Sequence, residues 1–183
     1  MGLLKPVSGA TITQNFDGHL SGGAFYHQNL RGLPLAAYKY KFPGYDGYNN
    51  PYHGAVDWAA PLGTPIVAQE RSKVIQFGTD SYSGYAKYVF LEISPKTSTR
   101  ERVRIEHWHL NGFRAGLYVG QIVPRGYVIG YVGKTGWATG YHDHNVLKIL
   151  EYEGGAWRDY LYNISRFLTG GDLAADPRIK PYY

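Results

Sequence analysis

The chain has no cysteine. Disulfides are therefore excluded as a source of stability, and any metal centre must draw on His, Asp, Glu and water. The redox compartment is left open. No run of about 18 apolar residues occurs, so no membrane-spanning helix is expected. The N-terminus, MGLLKPVSGATITQNF, lacks the apolar stretch of a signal peptide, so export would need another route or a longer parent protein. A dense stripe of one charge is missing too. Lys and Arg outnumber Asp and Glu by 19 to 14, but the basic residues are scattered, with one loose group at Lys96, Arg100, Arg102 and Arg104. Nucleic acid is not the expected partner. No convincing pair of carboxylates stands near the histidines, which argues against a glycosidase.

What is present fits one globular domain. The 183 residues are 44% hydrophobic and 18% charged, a balance that supports a packed core. Glycine and proline are abundant without a period, as expected for short strands joined by many turns. Tyrosine is used 18 times, so some rings are expected to be at least partly exposed, where they can stack on sugars or line a groove; buried phenols are the plain alternative, and composition does not separate the two.

The patterning is mostly that of β-structure. Residues 6–16 read as a turn and a short alternating strand around Ile12, alternation marks strands at 73–77, 85–93 and 100–110, and shorter ones are expected at 66–68, 117–119, 127–131 and 145–151. In the strand over 100–110, Val103, Ile105, His107 and His109 are expected on one face. Residues 17–52, rich in Gly, Tyr and Asn, read as one long loop insertion. Trp157, Leu161, Ile164 and Leu168 recur at helical spacing and predict a helix over 157–168, followed by a tail to residue 183. The expected architecture is mainly β, with long loops and one C-terminal helix.

Five of the seven histidines fall in three tight groups: His53 with Asp57, His107 with His109, and His142 with His144. If His142 opens a strand, its ring and that of His144 share a face and Asp143 takes the other. One His, one Asp and one further His make an economical catalytic zinc set with a position left for water. A lone H-x-H is weak evidence, and the plain alternative is that His53 caps a turn and Asp57 pairs with a surface cation. No H-E-x-x-H helix supplies a glutamate base, so histidines would have to carry protons.

The succession HGAVDWAAPLGTPIVA, HWHLNGF and GLYVGQIVPRGYVIGYVGKTGWATGYHDH resembles the lysostaphin-type (LytM-domain) zinc metallopeptidases, over about residues 6–150. The resemblance implies an antiparallel β-sheet core of the lysostaphin-like, duplicated hybrid type. It implies one Zn2+ held by His53, Asp57 and His144, with His109 and His142 as the catalytic histidines. It leaves His107 without a family role. It further implies hydrolysis of stem peptides or cross-bridges in bacterial peptidoglycan by a metal-activated water. Asp143 stands where an apolar residue is usual, and Trp58 where an aliphatic one is common.

Tyr52, Trp58, Trp137 and Tyr141 lie beside the motifs and are read as groove-lining residues. The expected setting is the bacterial cell wall, reached as a phage lysin or tail-associated enzyme or as an excised domain of an exported protein. The expected state is a monomer unless it is part of a virion. A catalytically silent wall-binding or tail module on the same fold is the alternative reading.

Overall fold

A computed structural model describes residues 2–14, 40–41, 53–93 and 101–170 of the chain. Most of the expected 17–52 insertion, residues 94–100 and the tail after 170 lie outside the described residues, as do His19, His27 and Tyr52.

The described chain forms two antiparallel sheets. Nine strands make the larger one: β1 (Thr11–Gln14), β2 (Tyr40–Lys41), β3 (Val56–Ala59), β5 (Ser72–Asp80), β6 (Ala86–Ile93), β7 (Glu101–Trp108), β9 (Ile122–Val123), β11 (His142–Glu153) and β12 (Ala156–Tyr162). Their order is β1-β3-β11-β7-β6-β5-β9, with β12 on the far half of β11 and β2 on β12. The smaller sheet has the order β4 (Pro65–Val67), β10 (Val128–Tyr131), β8 (Gly112–Phe113). This is the expected mainly β architecture.

Alternation builds the core. Val74, Leu91, Ile105 and Leu147 are register partners across four neighbouring strands, and all four are fully buried. Ile66 and Ile129 of the smaller sheet join the same cluster. Burial of this many branched side chains, at roughly 25 cal/mol per Å² of apolar surface, is what holds the strands together in the absence of disulfides.

Two expected elements are corrected. The helix over 157–168 is instead the strand β12 followed by one 3-10 turn, Ile164–Phe167. The long β11 offers an open edge, and Leu147 to Glu153 pair with Tyr162 to Ala156 in strict order. The hinge is Gly154-Gly155, both at positive φ (58° and 86°), a two-residue turn whose twist suits a hairpin and which glycine adopts without strain. The pairing thus overrides a helical spacing that four residues matched by coincidence. Leu117–Val119 is not a strand: it joins two tight turns, one closed by Leu117 N donating to Arg114 O at 3.1 Å and the next by Gln121 N donating to Tyr118 O at 3.2 Å, and the strand follows as β9.

Trp58 is also corrected. It lies in β3 next to Asp57, and period-2 alternation sends the two side chains to opposite faces. Asp57 faces the site, so Trp58 enters the core, where it is 2% exposed and lines no groove. Trp58→Ala is therefore expected to cost about 3–5 kcal/mol of stability through the cavity it leaves. The readout is a lower urea midpoint with an unchanged slope.

Candidate metal centre

β11 positions the site. Its first four residues pair with β3 on one side, and from His144 onward it pairs with β7 on the other. His142 and His144 share one face, as the sequence predicts, and Asp143 takes the other. Asp57 is the direct register partner of His144. The 53-to-57 spacing then returns His53 to the same point through Gly54, at φ 68°, and the start of β3.

Three ligand-type atoms converge there. His53 Nε2 lies 3.0 Å from His144 Nδ1 and 3.1 Å from Asp57 Oδ1, and His144 Nδ1 lies 3.0 Å from Asp57 Oδ1. Four ligands about 2.0–2.1 Å from a tetrahedral zinc stand about 3.3 Å from one another. The triangle is close to that size, and its N,N,O donor set is of the type zinc takes. Residues 53, 57 and 144 are all buried or nearly so, which favours directional ligation over solvated charge. The residues present fit the ion.

His109 and His142 flank the triangle. Their ring centroids are 5.0 Å apart, and His109 is 5.6 Å from His144. His109 Nδ1 is 2.8 Å from Thr135 O, and His142 Nδ1 is 3.0 Å from Gly140 O. A carbonyl only accepts, so each Nδ1 carries the proton and each Nε2 presents a lone pair. His142 Nε2 stands 3.6 Å from Asp57 Oδ2.

His109 does not share a face with His107, as alternation alone predicts. The strand ends at Trp108, and His109 adopts φ 66°, a left-handed conformation that costs a non-glycine residue energy. The turn rotates its ring out of the core face and onto the face of His142 and His144. His107 stays behind, fully buried, with Nδ1 3.0 Å from Asp143 Oδ2. The unusual Asp143 is thereby explained: it is the buried partner of His107 across β7 and β11.

Supporting residues were less legible. Thr135 clasps His109, its carbonyl accepting from the ring while its hydroxyl donates to Leu110 O and accepts from Lys87 N. The T-G step in GKTGWATG was the only available signal. Gly133 carries a bridge to His142, and a Cβ on it would lie 2.1 Å from Asn111 N, so only glycine allows this approach. Of the expected groove residues, Trp137 and Tyr141 are exposed on the loop before β11, at 63% and 50%. The Trp137 indole rests on Gly84, where a Cβ would stand 2.6 Å from it.

The electrostatics favour neutral rings at His109 and His144 beside an ionised Asp57. Burial opposes ionisation of Asp57, yet hydrogen bonds from His144 and His53 outweigh it and hold the carboxyl well below the usual range. Burial also lowers His144, and lowers His109 from 6.5 to about 4, aided by the nearby His144. A depressed histidine is a proton site that the unfolded chain fills first on acidification. Metal-free protein is thus expected to lose stability from about pH 6.5 down to about 4, on the order of 3 kcal/mol through His109 alone. The check is the urea midpoint against pH in chelator, where His109→Ala should show a shallower slope than wild type.

Such a fold and site define an all-β protein with a histidine- and aspartate-built centre of the kind hydrolytic metal ions occupy. The chain belongs to peptidase family M23, whose family model matches residues 51–153. It is 29% identical over 134 residues to lysostaphin from Staphylococcus simulans, covering 72% of this chain and 26% of that protein. It is 29% identical over 98 residues to glycyl-glycine endopeptidase ALE-1 from Staphylococcus capitis, covering 54% and 25% respectively. The chain thus spans about a quarter of the length of these curated relatives. The fold is shared with Helicobacter pylori Csd3, at TM-score 0.55 and 22% identity over 92% of this chain and 35% of that one. It is shared also with a zinc containing peptidase from Vibrio cholerae, at TM-score 0.51 and 24% identity over 87% and 39%.

Proposed function

We propose that this chain is a zinc-dependent endopeptidase that hydrolyses peptide bonds in the stem peptides or cross-bridges of bacterial peptidoglycan. The observation that carries the reading is the triangle of His53 Nε2, Asp57 Oδ1 and His144 Nδ1 with two further imidazoles turned toward it. Membership of a peptidase family and similarity to lysostaphin and to a glycyl-glycine endopeptidase support the substrate class.

His53, Asp57 and His144 would hold the ion. When bound, zinc supplies a Lewis acid for the scissile carbonyl and an acidified water as nucleophile. His109 and His142 divide the proton work. A neutral Nε2 accepts the proton that the attacking water loses, and an N–H of the protonated ring then hydrogen-bonds the developing oxyanion or passes the proton to the leaving amine. Asp57 Oδ2, 3.6 Å from His142 Nε2, stabilises that ring when it is charged. No acyl-enzyme forms, because the nucleophile is water. Trp137 and Tyr141 flank the approach and contact the peptide. The net positive charge suits the anionic wall, where the chain acts as a phage-delivered lysin or as the catalytic part of an exported enzyme.

The test is digestion of purified peptidoglycan by wild type and by His142→Ala, with and without chelator, followed by mass analysis of the fragments. New amino termini released by metal-loaded wild type alone are the expected result. Zinc binding with no release from several wall types would instead favour a silent wall-binding module.

A further inference from the structure

Behind the metal centre, on the face of the sheet that meets the core, His107 and Asp143 are both fully buried. His107 Nδ1 stands 3.0 Å from Asp143 Oδ2 and 3.2 Å from Oδ1. A carboxylate accepts, so the ring donates. The ladder between β7 and β11 ends at the pair of Trp108 with His144, and within it the direct partner of His107 is Asn145. Asp143 lies one residue past that end. There His142 bridges to Gly133 instead, and the chain after β7 has turned away through His109 at φ 66°. The bond from His107 to Asp143 therefore crosses the fork at which the two strands part. The rings of His109 and His142, with centroids 5.0 Å apart, stand just beyond the fork on the opposite face.

We infer that His107 and Asp143 are positioning residues, whose buried hydrogen bond clamps the fork between β7 and β11 and so sets the gap between His109 and His142. This rests on the proposed function, which gives those two rings the proton work. Two polar groups are a poor filling for a core, and an apolar pair of like volume would hold it about as firmly. What the hydrogen bond adds is direction. It fixes a distance and an angle between two strands where the ladder joining them has ended. The metal triangle does not depend on this clamp. Asp57 and His144 are direct partners in the ladder of β3 with β11, which covers His142 to Asn145 on the other edge of β11. The pair thus governs the rate of the chemical step and leaves zinc binding alone.

The experiment compares wild type with Asp143→Leu, Asp143→Asn and the double variant His107→Phe with Asp143→Leu, each stripped by chelator and reloaded with one equivalent of zinc. The readouts are kcat and KM on soluble peptidoglycan fragments, zinc affinity by competition with a chelator, and the urea midpoint. Asp143→Leu strands a buried N–H and should lower the midpoint. The double variant removes both partners and should recover most of that stability, which also covers the case in which Asp143→Leu does not fold. Its kcat should still lie about a hundredfold below wild type, because a displacement of about 1 Å in a reacting group costs on that order. KM and zinc affinity should be unchanged. Asp143→Asn still presents an accepting oxygen and should keep most of the rate. A double variant that recovers kcat along with stability overturns the inference, since the pair would then be core filling alone. Zinc affinity that falls in step with kcat also overturns it, by assigning the pair to the metal ligands. In both cases active wild type leaves the proposed function standing. Zinc-loaded wild type that hydrolyses no fragment overturns that function and this inference with it.

Discussion

Asp57→Ala is expected to strip the protein of bound zinc and to lower peptidoglycan hydrolysis on the order of a thousandfold or more, since the metal-derived stabilisation of charge is lost entirely. The expectation is stronger for Asp57 than for either histidine in the triangle. Asp57 alone touches His53, His144 and His142, and it supplies the only negative charge among them. It is held in β3 between β1 and β11, with Gln14 opposite on one side and His144 on the other, so neither register partner is a carboxylate that could replace it. The fold should survive, because Asp57 lies on the site face and the core side of β3 is filled by Val56 and Trp58. Elemental analysis of the purified variant and counting of released amino termini provide the two readouts. A variant that kept one zinc per chain would show that the ion lies somewhere other than the triangle.

Much of this site was legible because it depends on local periodicity. His142 and His144 share a face for the same reason that Leu147 and Ile149 share the other, and a single strand carries all four. The 53-to-57 spacing required only a turn and a strand start. What sequence could not supply were features fixed by one backbone angle or by distant pairing. His109 reaches the site through a positive φ that breaks the alternation, and nothing in EHWHL announces that the strand stops at Trp108. The inward course of Trp58, by contrast, is readable from its neighbour. Once Asp57 is a ligand in a strand, its neighbour must point away. The strand β12 also had a readable signal, the Gly154-Gly155 step, which was outweighed by four apolar residues at helical intervals. The pairing of His107 with Asp143 joins residues 36 positions apart and had no local signature.

His109→Ala is expected to separate chemistry from metal binding. The ring does not belong to the triangle of His53, Asp57 and His144, so the zinc held there should remain with unchanged affinity. Loss of a positioned proton carrier should lower kcat by about 10²- to 10⁴-fold, with KM little altered. Stability of the apo-protein near neutral pH should change little. Alanine retains the strain of φ 66°, the lost hydrogen bond to Thr135 O is partly replaced by water in the space the ring leaves, and the buried His107–Asp143 pair is untouched. His109 and His142 are assigned to successive proton transfers in one turnover, so their effects should not add. The double variant should retain nearly the activity of the weaker single variant, because a turnover missing either transfer is already blocked. Rates for wild type, both single variants and the double variant, each measured at one equivalent of zinc, test this directly. Fully multiplicative losses would mean that the two rings act independently, one on the proton and the other only on substrate position.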